Sequence, residues 1–254
     1  MQTFYFTDPG KVRSHNEDSV IILNNQKKDF VLAIADGMGG HKAGEIASSI
    51  TIDHITSSFN SLEKMGTKDE AIEWLRKIVK EINDKIFDYA KKHPESKGLG
   101  TTLVIAIKTE DYILYGNIGD SSGFVIKNNV LHKVTKDHTY VGMLISNGKI
   151  SEETAKTHPG RNLLTRALGA NNPIEIDIFD IDTSVKGLFL CSDGLTNMLT
   201  KDQIERVLKS EASLEERIVK LIRKSNLRGG TDNVSIAYLE KESGEDKWLQ
   251  RDKK

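Results

Sequence analysis

The sequence predicts an α+β fold built on antiparallel sheets, on three observations. Short apolar runs rich in Val, Ile, Phe and Tyr recur near both ends of the chain. Helical stripes stand in blocks between and after these runs, not one after every strand, and parallel sheets need a crossover at each step. The length of 254 residues fits one large domain or two small ones and is enough to bury a sizeable core.

Runs at 3–7, 19–23 and 30–35 read as strands. A helix is expected from about residue 42 to 59, with Ala43, Ile46, Ala47 and Ile50 on one face. A second is clearer, because Ile72, Leu75, Val79, Ile82, Ile86 and Tyr89 recur at steps of three and four. Strands are expected next at 102–107, 112–117, 124–126 and 130–134. The stretch 138–169 breaks this pattern. It has short helical pieces, turn pairs at Asn147-Gly148 and Pro159-Gly160, and little apolar periodicity, so it is expected to be a mobile excursion beside the main body. Strands return at 174–178 and 187–191, helices at 201–209 and 214–225, and a last strand at 233–240. Residues 1–240 are expected to form one domain, and the charged tail 241–254 to fray.

Composition narrows the class without naming a function. A net charge of -1 gives no steering toward nucleic acid or an anionic membrane. No apolar run approaches the roughly 20 residues of a membrane span. The opening MQTFYFTDPG lacks a charged start followed by an apolar stretch. A single cysteine, Cys191, excludes an internal disulfide framework and suits a reducing compartment. The expectation is a cytoplasmic monomer with neither nucleic-acid nor membrane partners.

The chemical signal is the placement of aspartates. Asp36, Asp193 and Asp232 each stand at the edge of an apolar run: FVLAIAD-GMGG, LFLCSD-GL and GGTD-NVSIAYL. A carboxylate at a strand terminus is held rigidly and faces the end of a sheet, where several can converge. Clustered carboxylates repel one another and call for a cation, and hard oxygen ligands select Mg²⁺, Mn²⁺ or Ca²⁺. Gly37 and Gly194 follow two of them, and glycine lets a backbone carbonyl come close to a metal. Any one Asp-Gly by itself is an ordinary turn pair.

Longer motifs go further. Gly10-Lys11-Val12-Arg13-Ser14-His15-Asn16-Glu17-Asp18 resembles the G-x-x-R-x-x-N-E-D opening of the metal-dependent protein phosphatase family, the type 2C class. Asp36-Gly37-Met38-Gly39-Gly40-His41 is similar to its bacterial D-G-M-G-G-H. Gly119-Asp120-Ser121, Leu164-Thr165-Arg166-Ala167-Leu168-Gly169, Ser192-Asp193-Gly194-Leu195 and Gly230-Thr231-Asp232-Asn233 resemble its later motifs, in the family's order. The resemblance runs over roughly residues 3 to 240, and the ordered set makes it specific. It implies two antiparallel sheets packed as a sandwich with helix pairs outside, a four-layer α-β-β-α arrangement, and a flap at 138–169.

It also implies roles. Asp36 would bridge two Mn²⁺ or Mg²⁺ ions; the Gly37 carbonyl would ligate one, and Asp193 and Asp232 the other. Asp120 would join Asp193 at a third, weaker ion. Glu17 and Asp18 would hold metal-bound waters, and Arg13 would grip the substrate phosphate. The implied activity is hydrolysis of phosphoserine and phosphothreonine on proteins by a metal-bridged water, opposing a bacterial serine/threonine kinase. The chemistry agrees: phosphate monoesters hydrolyse extremely slowly unaided. Two ions about 3.5–4 Å apart lower the pKa of a shared water and stabilise in-line displacement. Guanidinium offers phosphate a planar pair of donors. His41 is a candidate acid for the leaving oxygen.

Two departures stand out. Ser122 occupies the place of the arginine in the family's G-D-S-R, and Met38 stands where animal members have histidine, so that histidine's acid role does not carry over. Other phosphatase chemistries fit poorly. A cysteine enzyme needs C-x5-R, but six residues after Cys191 stands Asn197. Asp180 and Asp182 form a D-x-D that reads as an acidic strand edge. Arg161 and Arg166, in the excursion, are candidates to reach substrate.

Overall fold

The computed structural model describes residues 1–39, 43–96 and 98–241. The elements run β1 (Gln2–Asp8), β2 (Asp18–Asn24), β3 (Phe30–Met38), α1 (Ala43–Asn60), α2 (Lys68–Lys92), β4 (Gly100–Thr101), β5 (Leu103–Lys108), β6 (Ile113–Ile118), β7 (Ser122–Lys127) and β8 (Val130–Lys133). Then follow α3 (Tyr140–Ser146), α4 (Glu152–Thr157), β9 (Asp177–Ile181), β10 (Gly187–Cys191), α5 (Asp193–Thr196), α6 (Lys201–Leu208), α7 (Leu214–Leu227) and β11 (Val234–Glu240).

The strands form two antiparallel sheets. One has the order β1-β11-β10-β7-β8; the other has β2-β3-β5-β6-β9, with β4 paired to β3. Three apolar clusters fill the gaps between four layers. Leu32, Ile34, Val104, Tyr115, Leu188 and Ala237 pack between the sheets. Ile55, Leu75, Ile82 and Ile105 join α1 and α2 to the second sheet. Phe189, Cys191, Ile218, Leu221 and Ile236 join α6 and α7 to the first. Alternate residues of β3 thus face opposite cores, which is why Phe30–Ala35 is apolar without a break. The expected α-β-β-α sandwich is what the chain forms.

Local chemistry explains the helix ends. Thr67 caps α2 and exchanges hydrogen bonds with Glu70, a capping box, while Lys91 and Lys92 fill the last turn, where cations suit the helix dipole. Ser213 and Glu216 make the same box at α7.

Several expectations shift. Strand β3 runs past Ala35 to Met38 because Gly37 and Met38 pair with Thr101 and Gly100 of β4. The expected strand at 174–178 begins only at Asp177, where pairing to Asn117 starts. Ile174 and Ile176 instead pack on the α1/α2 core outside the ladder, so their alternation has the look of a strand but no partner. Asp193 opens a helical turn, α5, which the sequence did not suggest. The excursion does hold the short helical pieces expected there, α3 and α4.

Candidate active site

Both sheets bring their strand ends to one edge of the sandwich. The register sets Asp18 directly opposite Asp36 across β2 and β3. In the other sheet β10 ends at Cys191, opposite Ile236 near the start of β11. Asp193 and Asp232 therefore flank neighbouring strand ends. Asp120 lies in the turn from β6 to β7, where the chain passes between sheets. A pocket of about 480 Å³ forms there, lined by Arg13, Glu17, Asp36, Gly37, Asp120, Asp193 and Asp232, with Leu163 to Ala167 of the excursion as its far wall. Met38 lines it too. Asp18 lies behind the wall, buried.

Each acid is held by specific partners. The Asp36 N–H donates to Thr102 Oγ1 (3.1 Å), and its carbonyl accepts from Thr101 Oγ1 (2.8 Å) and the Thr102 N–H (2.9 Å). Ser192 Oγ donates to Asp18 Oδ2 at 2.7 Å. Asn197 Nδ2 donates to Asp193 Oδ2 at 3.0 Å. Arg13 Nη2 donates to Asp232 Oδ2 at 2.9 Å, across a half-exposed pair. Asn233 ties the arginine loop down: its Nδ2 donates to the carbonyls of Pro9 and His15, and its Oδ1 accepts the Glu17 N–H.

Two glycines allow the close approach. A Cβ on Gly37 would fall 2.1 Å from the Gly44 carbonyl oxygen, and one on Gly194 would fall 2.0 Å from that of Asn233. No side chain fits at either position.

Crowded acids shift one another. Burial pushes the Asp18 carboxyl up to about 7, against the hydrogen bonds of Ser235 and Ser192, with Asp193 and Asp232 adding repulsion. Burial and the charges of Asp193 and Asp137 likewise raise Asp120 to about 7. Asp36 is raised well above the carboxylate range by burial and then by Asp18, Asp193, Asp120 and Asp232. Asp193 is raised by burial and by Asp232, and Glu17 by burial. In addition, Asp18 Oδ1 is buried with no hydrogen-bond partner.

Such a set, all oxygen donors with an excess of negative charge and an orphaned buried carboxylate oxygen, fits a hard divalent cation. Among the described residues no three His, Cys, Asp or Glu side chains close as a ready-made cage around one point. The carboxylates are spread around a pocket instead.

The structure thus brings Arg13, Glu17, Asp36, Gly37, Asp120, Asp193 and Asp232 to one pocket, with Asp18 behind it. His41 lies outside the described residues. Arg161 is exposed and does not line the pocket; Arg166 does. Thr102, Ser192 and Asn233 also support the site, although the sequence alone gives none of them a role. Two of them adjoin the aspartates in motifs already singled out, a signal that could have found them. Ser122 Oγ is buried without a partner where the family's arginine would stand.

Comparison with known proteins agrees with this fold. The family model "Protein phosphatase 2C" matches residues 11–227. The serine/threonine phosphatase stp of Listeria monocytogenes is 38% identical over 243 residues, covering 95% of this chain and 96% of that protein. The structure of the Streptococcus agalactiae serine/threonine phosphatase superposes with a TM-score of 0.89 at 33% identity, over 93% of this chain and 98% of that one. Serine/threonine phosphatase Stp1 of Staphylococcus aureus gives 0.89 at 35% identity, covering 95% of each chain. The chain belongs to the protein phosphatase 2C family. It is therefore an enzyme, a phosphoprotein phosphatase of a metal-dependent family.

Proposed function

We propose that the chain hydrolyses phosphoserine and phosphothreonine on proteins at a Mn²⁺ or Mg²⁺ centre held by Asp36, the Gly37 carbonyl, Asp193 and Asp232. Asp120, with Asp193, serves a third and weaker ion. The observation that carries this reading is the convergence of carboxylates from both sheets on one pocket that has Arg13 at its rim. When bound, the ions supply Lewis acidity and lower the pKa of water enough to make it a nucleophile at neutral pH.

The protein's own part is orientation. Arg13, half-exposed and anchored by Asp232, presents its guanidinium to the incoming phosphate. Glu17 and Asp18 stand as acceptors for ordered water, and the Ser192 bond leaves one Asp18 oxygen free for this. His41, four residues after Gly37 in sequence, is the candidate acid for the leaving oxygen. The excursion walls the pocket and gates substrate entry. The enzyme acts as a monomer in the cytoplasm against a serine/threonine kinase. In keeping with that, no helix among the described residues is long and apolar enough to cross a membrane.

Incubating the folded protein with a phosphothreonine peptide and Mn²⁺ should release inorganic phosphate, and EDTA should stop it. Absence of release under those conditions would refute the reading.

A further inference from the structure

The base of the excursion is stitched to the acid pocket through one histidine. His138 Nδ1 accepts the Gly119 N–H at 3.0 Å, and the His138 N–H donates back to the Gly119 carbonyl at 2.9 Å. An imidazole nitrogen that accepts carries no proton, so the ring is the Nε2–H tautomer. Its Nε2–H then donates to Asp177 Oδ2, 3.1 Å away. The other oxygen of Asp177 accepts from Arg166 Nη1 at 2.6 Å. The His138 carbonyl accepts from the Thr165 N–H at 2.8 Å, so the two stems of the excursion meet here.

Each member is used in full except the last. Asp177 is held below the usual carboxylate range: burial works against this, but the bonds from Arg166 and His138 outweigh it. Arg166 is different. Only its Nη1 is engaged, with Asp177 and, at 3.4 Å, the Glu175 carbonyl. Among the described residues its Nε and Nη2 have no protein acceptor, although the residue lines the acid pocket. A guanidinium fixed at one nitrogen, with the rest of its fork free, is pre-organised for oxygen acceptors on a ligand.

We propose that His138 and Asp177 are positioning residues that lock Arg166 into the pocket wall, where its free N–H groups bind the phosphorylated segment of the substrate protein, and that tie this wall to the Gly119-Asp120 turn. The inference rests on the phosphatase reading for its substrate but not for its geometry.

The test compares Asp177→Ala, Arg166→Ala and the double variant on a phosphothreonine peptide, with Asp177→Asn in reserve should the alanine variant fail to fold. A charge-assisted hydrogen bond supports a change of about tenfold. Each single change should therefore raise KM for the peptide about tenfold and affect kcat less. The double variant should match Arg166→Ala alone, since Asp177 acts through Arg166. Effects that multiply, or a wild-type KM in Asp177→Ala, overturn the proposal. Long-range ¹H–¹⁵N spectra of the His138 ring decide its geometry without turnover. Protonation at Nε2 alone is expected; protonation at Nδ1 overturns the relay. A wild-type protein that leaves the peptide intact counts against the phosphatase reading, and the ring spectrum still decides the relay.

Discussion

Gly194 occupies a place where the chain carrying Asp193 all but touches the chain carrying Asp232. A methyl group there would sit 2.0 Å from the Asn233 carbonyl oxygen. That oxygen is backbone and cannot swing aside, so Gly194→Ala must push the two segments apart. Misplacement of reacting groups by about 1 Å can cost on the order of 100-fold in rate, and overpacking costs about 1–3 kcal/mol. Phosphate release should fall by about that factor while urea denaturation shows a smaller relative loss; unchanged turnover would show that this contact does not position the acids. At this scale the aspartates were legible, because each stands at the edge of an apolar run that forms a strand. Their supports were not. Thr102 reaches Asp36 across 66 residues and Asn233 reaches His15 across 218, and such distances leave no local pattern. Arg161 and Arg166 looked alike in sequence; only the fold shows that Asp177 turns one of them into the pocket.

Between elements, one buried ion pair lies far from the pocket. Arg217 of α7 pairs through both terminal nitrogens with Glu240 at the end of β11, and both side chains are about nine-tenths buried. Tyr238 Oη also donates to Glu240, at 2.7 Å, and the Arg217 Nη1 donates to the Leu208 carbonyl. Removing one partner strands the other charge, which costs about 3–5 kcal/mol. Glu240→Ala should lower the unfolding free energy by that amount, seen as a lower denaturation midpoint, and Glu240→Gln by less, since the amide oxygen still accepts. Equal midpoints for wild type and Glu240→Ala would show the pair to be idle. The long helices and the paired strands were readable from apolar spacing. Strand β4 and helix α5 were not, being two and four residues long. Strand β9 was displaced because side-chain alternation reports burial, whereas pairing also needs a neighbour.

For the whole molecule, pH and metal are linked. A carboxyl whose folded pKa is raised leaves the folded state holding protons that the unfolded chain has already lost. Such groups make stability fall as pH rises from the unfolded value, near 4, through the folded one. Asp18 and Asp120, both raised to about 7, extend that fall to neutrality. Acids with lowered values, such as Asp177, contribute a rise that is complete above about pH 4. His138, lowered by burial, adds a rise that ends near its ordinary 6.5. Between about pH 6.5 and 7.5 the fall from the raised pocket acids continues after the rises from Asp177 and His138 have ended, so the melting temperature in EDTA should drop across that window. Mn²⁺ should reverse the trend, because deprotonated acids bind it best. A melting temperature that rises in EDTA would contradict the carboxyl assignment.

The register of β1 against β11 pairs Gln2 with Glu240. Both strands run from there to the acid pocket, roughly 25 Å away at the strand rise of about 3.3 Å per residue. The first and last strands thus enter and leave the fold side by side, at the pole opposite the chemistry. A reporter, tether or recruiting module spliced beside either residue would leave the mouth of the pocket open to a bulky phosphoprotein.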